Sequence, residues 1–294
     1  MANAPVIPLP THHVHRMADG RRVGYARYGD PDGFAVLNCH GGLLSRNDTA
    51  PAHAAAHALG VLVISIDRPG VALSDRFPGH TMGDWVDHDV RSVLGALGIE
   101  RFSVLGWSLG GQYALTVAHV LRDQVHRVAT LAGCLPLDDP HRLAELNAMD
   151  RHFASASLRR PLAARAVFAT LHSMARYAPL VTTRVATRRE PAAARAAVRA
   201  QGSWLARTME EGVRNGRGIL DEYRAMVAPW GFAPGEIGAH VDVHQGDADP
   251  LVPERWGREL AAMMSNATLH VHRGEGHMIG LTKRAEVLAS LVAP

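Results

Sequence analysis

The chain has 294 residues, 47% of them hydrophobic and 20% charged, a balance that excludes a disordered, collagen-like or disulfide-stapled polymer. Basic side chains outnumber acidic ones by only 31 to 28. The arginines are interleaved with carboxylates instead of forming the stripe of a nucleic-acid binder. A chain of this length buries enough surface for one large core, or for a core with a smaller appendage.

Residues 1–10 carry three prolines and no basic start ahead of a long apolar run, so no signal peptide is expected there. His12, His13 and His15 follow in what reads as a polar leader. Residues 22–28 alternate as a strand does, and Gly29-Asp30-Pro31-Asp32-Gly33 is a strong turn. Short apolar runs then predict buried strands over residues 35–38, 61–66, 102–105 and 125–131. Between them the spacing predicts an alanine-rich helix over 50–59 and another over 109–121. A third, capped by Thr81, carries Met82, Val86, Val90, Val93 and Leu97 at the 3.6-residue period. This rhythm predicts an α/β protein with a mainly parallel sheet, whose site lies at the carboxyl ends of the strands.

The rhythm breaks after Pro136. Residues 137–230 are rich in Ala and Arg with helical periodicity, as over 159–170 and 191–207. It resumes with a strand over 240–244, a turn at Gly246-Asp247, a helix over 253–264, a strand over 268–272 and a last helix over 283–291. The expected organisation is a core domain of residues 1–135 and 233–294, interrupted by a helical insertion at 136–232. No run approaches about 18 consecutive apolar residues, the length of a membrane-spanning helix. The expectation is a soluble cytoplasmic protein with neither a nucleic-acid nor a membrane partner; nothing in the sequence sets an oligomeric state.

Gly106-Trp107-Ser108-Leu109-Gly110, followed by Gly111, lies between a predicted strand and a predicted helix. A sharp strand-to-helix turn lifts a serine hydroxyl above the sheet, and flanking glycines relieve the bend. Serine is a weak nucleophile without a base. His277, in the glycine-flanked loop Gly274-Glu275-Gly276-His277-Met278, is the candidate. Asp249, after the penultimate predicted strand, is the candidate acid that would orient it. Asp247 is the local alternative, better suited to forming the turn through its own backbone. For the oxyanion, Leu109 N–H supplies one donor, and Gly42 of His40-Gly41-Gly42 the other, with Leu43 as fallback. His40 suits fixing its loop better than serving as a second base. With Leu43, Trp107 and Met278 it is also expected beside the substrate.

These pieces, with Asp67-Arg68-Pro69-Gly70 and the segment from Gly246 to Pro253, resemble the α/β-hydrolase superfamily over nearly the whole core. The resemblance implies a mostly parallel eight-stranded sheet flanked by helices, with a helical cap inserted after the sixth strand. Some relatives take the acid after that strand, which makes Asp138 or Asp139 a further alternative. Relatives often continue Asp-Arg-Pro-Gly with x-Gly-x-Ser, whereas this chain has Val71-Ala72-Leu73-Ser74; the departure bears on the tightness of that loop. Cys39 and Cys134 would end strands separated by a third, roughly 10 Å apart, too far for a disulfide, and are expected as buried thiols.

The activity implied is that of a serine hydrolase cleaving a carboxylic ester or related acyl bond of a small molecule, with no cofactor and no metal. A serine nucleophile argues against the epoxide-hydrolase and haloalkane-dehalogenase branches, which attack with a carboxylate. Carbon–carbon bond hydrolysis, peptide cleavage, lactone opening and acyl transfer use the same machinery. A non-catalytic ligand-binding protein would have no need of the Ser, His and Asp set. His53 and His57, four apart on a helix, have no third ligand at helical spacing. Arg159-Arg160 and Arg188-Arg189 read as a solvated helix face in preference to anchors for an acidic substrate. Trp204, Met209, Met226 and Trp230 fit the pocket and core packing equally well.

Overall fold

Polar alternation at the start and aliphatic runs further on sort the strands into an edge and a buried centre. The computed structural model describes residues 9–293, so residues 1–8 of the start discussed above lie outside the described residues. The strands are β1 (Thr11–Arg16), β2 (Arg22–Gly29), β3 (Phe34–Cys39), β4 (Val61–Ile66), β5 (Phe102–Trp107), β6 (Val125–Leu131), β7 (His240–Gly246) and β8 (Ala267–His272). They form one eight-stranded sheet in the order β1-β2-β4-β3-β5-β6-β7-β8. Its β1–β2 and β2–β4 pairs are antiparallel and the remaining pairs parallel.

β1 corrects the reading of a leader. Its THHVHR sequence has no apolar face, which an edge strand does not need. His13 stacks on Tyr25 at 4.9 Å and His15 bonds Ser92 Oγ at 2.8 Å. The central strands instead send alternate residues into two apolar clusters. Leu37, Leu62, Ile64 and Val104 enter one, and Val36, Val61, Val63 and Leu105 the other, as a sheet covered on both faces requires.

Helices α1 (His53–Ala58), α2 (Met82–Asp84), α3 (Arg91–Ala96) and α4 (Leu109–Val120) lie between the early strands. Thr81 caps α2 in a reciprocal box with Asp84. The helix expected to run on from there is broken by a π-helical turn, Trp85–Val90, which buries Trp85, Val86, Asp89 and Val90. Between β6 and β7 lie α5 (Pro140–Glu145), α6 (Ala148–Arg159), α7 (Pro161–Tyr177), α8 (Pro179–Ala186), α9 (Ala192–Ala200), α10 (Trp204–Val213) and α11 (Gly216–Met226). The single helix expected over 191–207 is two, parted at Gly202, whose φ is +59°. Helices α12 (Glu254–Ala262), α13 (Ile279–Thr282) and α14 (Arg284–Leu291) complete the fold.

Polar contacts fasten the segment between β6 and β7 to the rest. Ser45 N–H donates to Thr208 Oγ1 at 3.0 Å and Asn47 Nδ2 to Glu211 at 2.8 Å, while Arg76 pairs with Asp221 at 2.6 Å. Among the described residues no helix is long and apolar enough to cross a membrane.

Candidate active site

Ser108 is the single residue between β5 and α4, with φ 57° and ψ −123°. A side chain enters such a backbone region at a cost of about 1–3 kcal/mol. Its neighbours permit the bend: a Cβ on Gly106 would collide with the Gly110 carbonyl, and one on Gly110 with that of Cys39. Ser108 N–H donates to Leu131 O at 2.9 Å, which ties the turn to β6. The first amides of α4 have no carbonyl within the helix to bond.

The turns after β7 and β8 bring the other two residues together. Asp249 Oδ1 accepts from the amides of Leu251 and Val252 at 2.7 and 2.9 Å, and Oδ2 lies 2.9 Å from His277 Nδ1. With Nδ1–H given to Asp249, Nε2 is the nitrogen free to take a proton. Trp107 Nε1 donates to the His277 carbonyl at 2.9 Å, steadying the loop from β5. Burial alone would lower the imidazole pKa. The charge and hydrogen bond of Asp249, aided by the charges of Glu190 and Asp150, outweigh it and raise the value above 6.5.

Ser108, Leu109 and His277 line one cavity of about 430 Å³, together with Gly41, Gly42, Leu43, Trp107 and Met278. Among the described residues neither the Gly42 nor the Leu109 amide has a hydrogen-bond acceptor. The loop that carries Gly42 is held from beneath by Arg68, whose guanidinium donates to the carbonyls of His40 and Gly41 and to Glu222 Oε1 of α11 at 2.7 Å.

His40 is where the pocket assignment needs correction. It does not line the cavity. The ring is fully buried, Nδ1 lies 3.0 Å from Gly41 O, and Nε2 accepts from Arg68 N–H at 3.3 Å. Burial, with Arg68 close by, holds its pKa well below 6.5, so it is a neutral loop support. Sequence adjacency to Gly41 placed it beside the substrate, whereas the pull of the Arg68 amide draws the ring underneath.

The alternatives to Asp249 have other work. Asp247 accepts from Gly274 N–H at 2.7 Å, across to the neighbouring loop and not to its own backbone, and Asp139 caps α5 by accepting from His141 N–H. Asp138 is exposed. Met209 and Met226 line the cavity, whereas Trp204 donates to Asn47 O and Trp230 packs on Phe232. Arg188 and Arg189 border the cavity; Arg159 and Arg160 do not. Cys39 and Cys134 are buried and free. Burial pushes the Cys39 thiol up to about 12 and the Cys134 thiol also up, which leaves both protonated and inert as nucleophiles. Among the described residues no group of three or more His, Cys, Asp or Glu is placed to hold a metal ion.

Three cavity carboxylates, Asp150, Glu190 and Glu222, carry no motif that would disclose them. The available signal for Glu190 was a lone acid in an Ala- and Arg-rich stretch, just before the proline that starts a helix.

The sequence profile of a family described as alpha/beta hydrolase fold matches residues 35–284. No curated protein matches the chain. Among solved structures, a bromoperoxidase from Bacillus anthracis is similar with a TM-score of 0.72 at 18% identity, over 96% of this chain and 97% of that one. An enol-lactonase from Burkholderia xenovorans has a TM-score of 0.68 at 18% identity, over 95% and 98%. A thermophilic esterase from Thermogutta terrifontis has 0.67 at 18%, over 96% of each chain. Identities this low speak for the fold alone. With the family match spanning most of its length, the chain belongs to the α/β-hydrolase fold family.

Proposed function

We propose that the protein is a serine hydrolase that cleaves a carboxylic ester or related acyl bond of a small molecule. The observation that carries this reading is the strained Ser108 opening on the same cavity as the Asp249-bonded His277. In this reading Ser108 Oγ attacks the carbonyl carbon while His277 Nε2 takes its proton. The oxyanion so formed accepts from the Gly42 and Leu109 amides. Collapse expels the alcohol, protonated by His277, and leaves an acyl-serine. Water, deprotonated by His277, then attacks the acyl carbon and frees the carboxylic acid and the serine hydroxyl. Asp249 keeps the imidazole in the tautomer this requires.

Leu171, Met174, Met209, Met226 and Leu251 give the cavity apolar walls suited to an acyl or alcohol chain. Residues 136–232 serve as the cap that supplies most of those walls. The chemistry requires neither cofactor nor metal. A fluorophosphonate probe tests the reading. The wild type should be labelled and Ser108→Ala should not, and a series of p-nitrophenyl esters of increasing acyl length should then be turned over. Failure of the wild type to react, where another serine hydrolase in the same tube does, would remove the proposal.

A further inference from the structure

Glu190 is remote from the triad in the chain and adjacent to it in space. It lies between α8 and α9, is 3% exposed, and borders the cavity with Ser108 and His277. Its Oε2 accepts from Met278 N–H at 3.3 Å. A Cβ on Gly276 would strike that same oxygen and the ring of Pro191, so the backbone leading into His277 rests directly on the carboxylate. Two arginines precede it in sequence, yet among the described residues Glu190 has no ion pair with an arginine or lysine. A buried carboxylate without a cation is costly, and a glutamine of the same shape would accept the same amide bond without that cost. His277 and the amides of its turn are the groups beside Glu190 that favour its charge.

We propose, building on the hydrolase reading above, that Glu190 is a positioning residue for the general base: it holds the His277–Met278 turn in place and favours the imidazolium that proton transfer creates. The charged groups facing His277 are Asp249 from the turn after β7, Glu190 from the segment between α8 and α9, and Asp150 from α6. Glu190 is the one that also grips the histidine's own turn. Burial raises its pKa, and the neighbouring His277 partly opposes the rise.

The test compares wild type, Glu190→Gln and Glu190→Ala by imidazole NMR titration of His277 and by the pH profile of ester turnover. Glu190→Gln keeps an acceptor for the turn and removes the charge. It should shift the His277 titration and the acidic limb of kcat/KM to lower pH, with the plateau within about threefold of wild type. Glu190→Ala loses the acceptor as well, and its kcat should fall by about tenfold to a hundredfold with KM little changed, the scale of one lost charge-assisted hydrogen bond. Glutamine should rescue most of that loss. An unchanged His277 titration in Glu190→Gln, or an alanine variant altered only in KM, would overturn the assignment. The NMR titration needs no turnover, so an inactive wild type whose His277 still responds to Glu190→Gln would reject the esterase reading and leave the positioning role standing.

Discussion

The sheet and the helices of residues 140–226 share their apolar packing but differ in what else holds them. The sheet is fixed by backbone ladders and by two apolar clusters whose members, such as Val36, Leu37, Ile64 and Val104, are fully buried. The helical segment joins the same clusters through side chains, Phe153, Phe168, Ile219 and Met226 in one and Ala194, Val198 and Leu205 in the other, and ion pairs add to this: Arg68–Glu222 at 2.7 Å, Arg46–Glu211 at 3.3 Å and Arg76–Asp221 at 2.6 Å. Ser108, Asp249 and His277 all sit on the part that backbone geometry fixes. Cavity walls and the second carboxylate beside the histidine come from the part that single side chains fix. The walls can therefore vary while the turns that carry Ser108, Asp249 and His277 stay in place, except where Glu190 and Arg68 join the two regions.

The comparison is most sharply tested on the sheet side. Ser108→Ala should lower ester turnover by roughly 10⁴- to 10⁶-fold, and Asp249→Asn by about 10⁴-fold through the wrong imidazole tautomer. Circular dichroism should show both folded. At the junction, Arg68→Met leaves Glu222 buried without its cation, a loss of about 3–5 kcal/mol in urea unfolding, with reduced turnover because Gly41 and Gly42 lose their support. An Arg68→Met variant as stable as wild type would mean that charge does not fasten the segment.

Smaller effects follow from protonation and strain. In the proposed reaction His277 is a neutral base, and Asp249 raises its pKa, so kcat/KM should fall about tenfold per pH unit below a midpoint that lies above 6.5. A midpoint below 6.5 would contradict the Asp249 pairing. The smallest effect concerns Ala72, which occupies the place where relatives often have glycine. Its φ of 45° keeps the loop tight at the expense of strain, so Ala72→Gly should add about 1 kcal/mol of stability and raise Tm by about 2 °C. Unchanged or lowered Tm would show the strain to be absorbed elsewhere.

The sequence disclosed what steric rules enforce. A serine in a strand-to-helix bend needs small neighbours, so Gly106 and Gly110 betray the turn, and the order of Ser108, Asp249 and His277 follows from where loops can meet above a parallel sheet. β1 was missed because an exposed edge tolerates polar residues on both faces. The π-helical turn at Trp85–Val90 was missed because one extra residue barely disturbs a 3.6-residue pattern. Glu190 left no periodic trace at all, since its role depends on where the turn after β8 comes to rest. His40 shows the opposite error, in which nearness along the chain was taken for nearness to the cavity.

Arg68 joins Glu222 on α11 to the carbonyls of His40 and Gly41, which makes α11 and the loop that carries Gly42 parts of one mechanical unit. Lifting α11 would withdraw the guanidinium and slacken the loop.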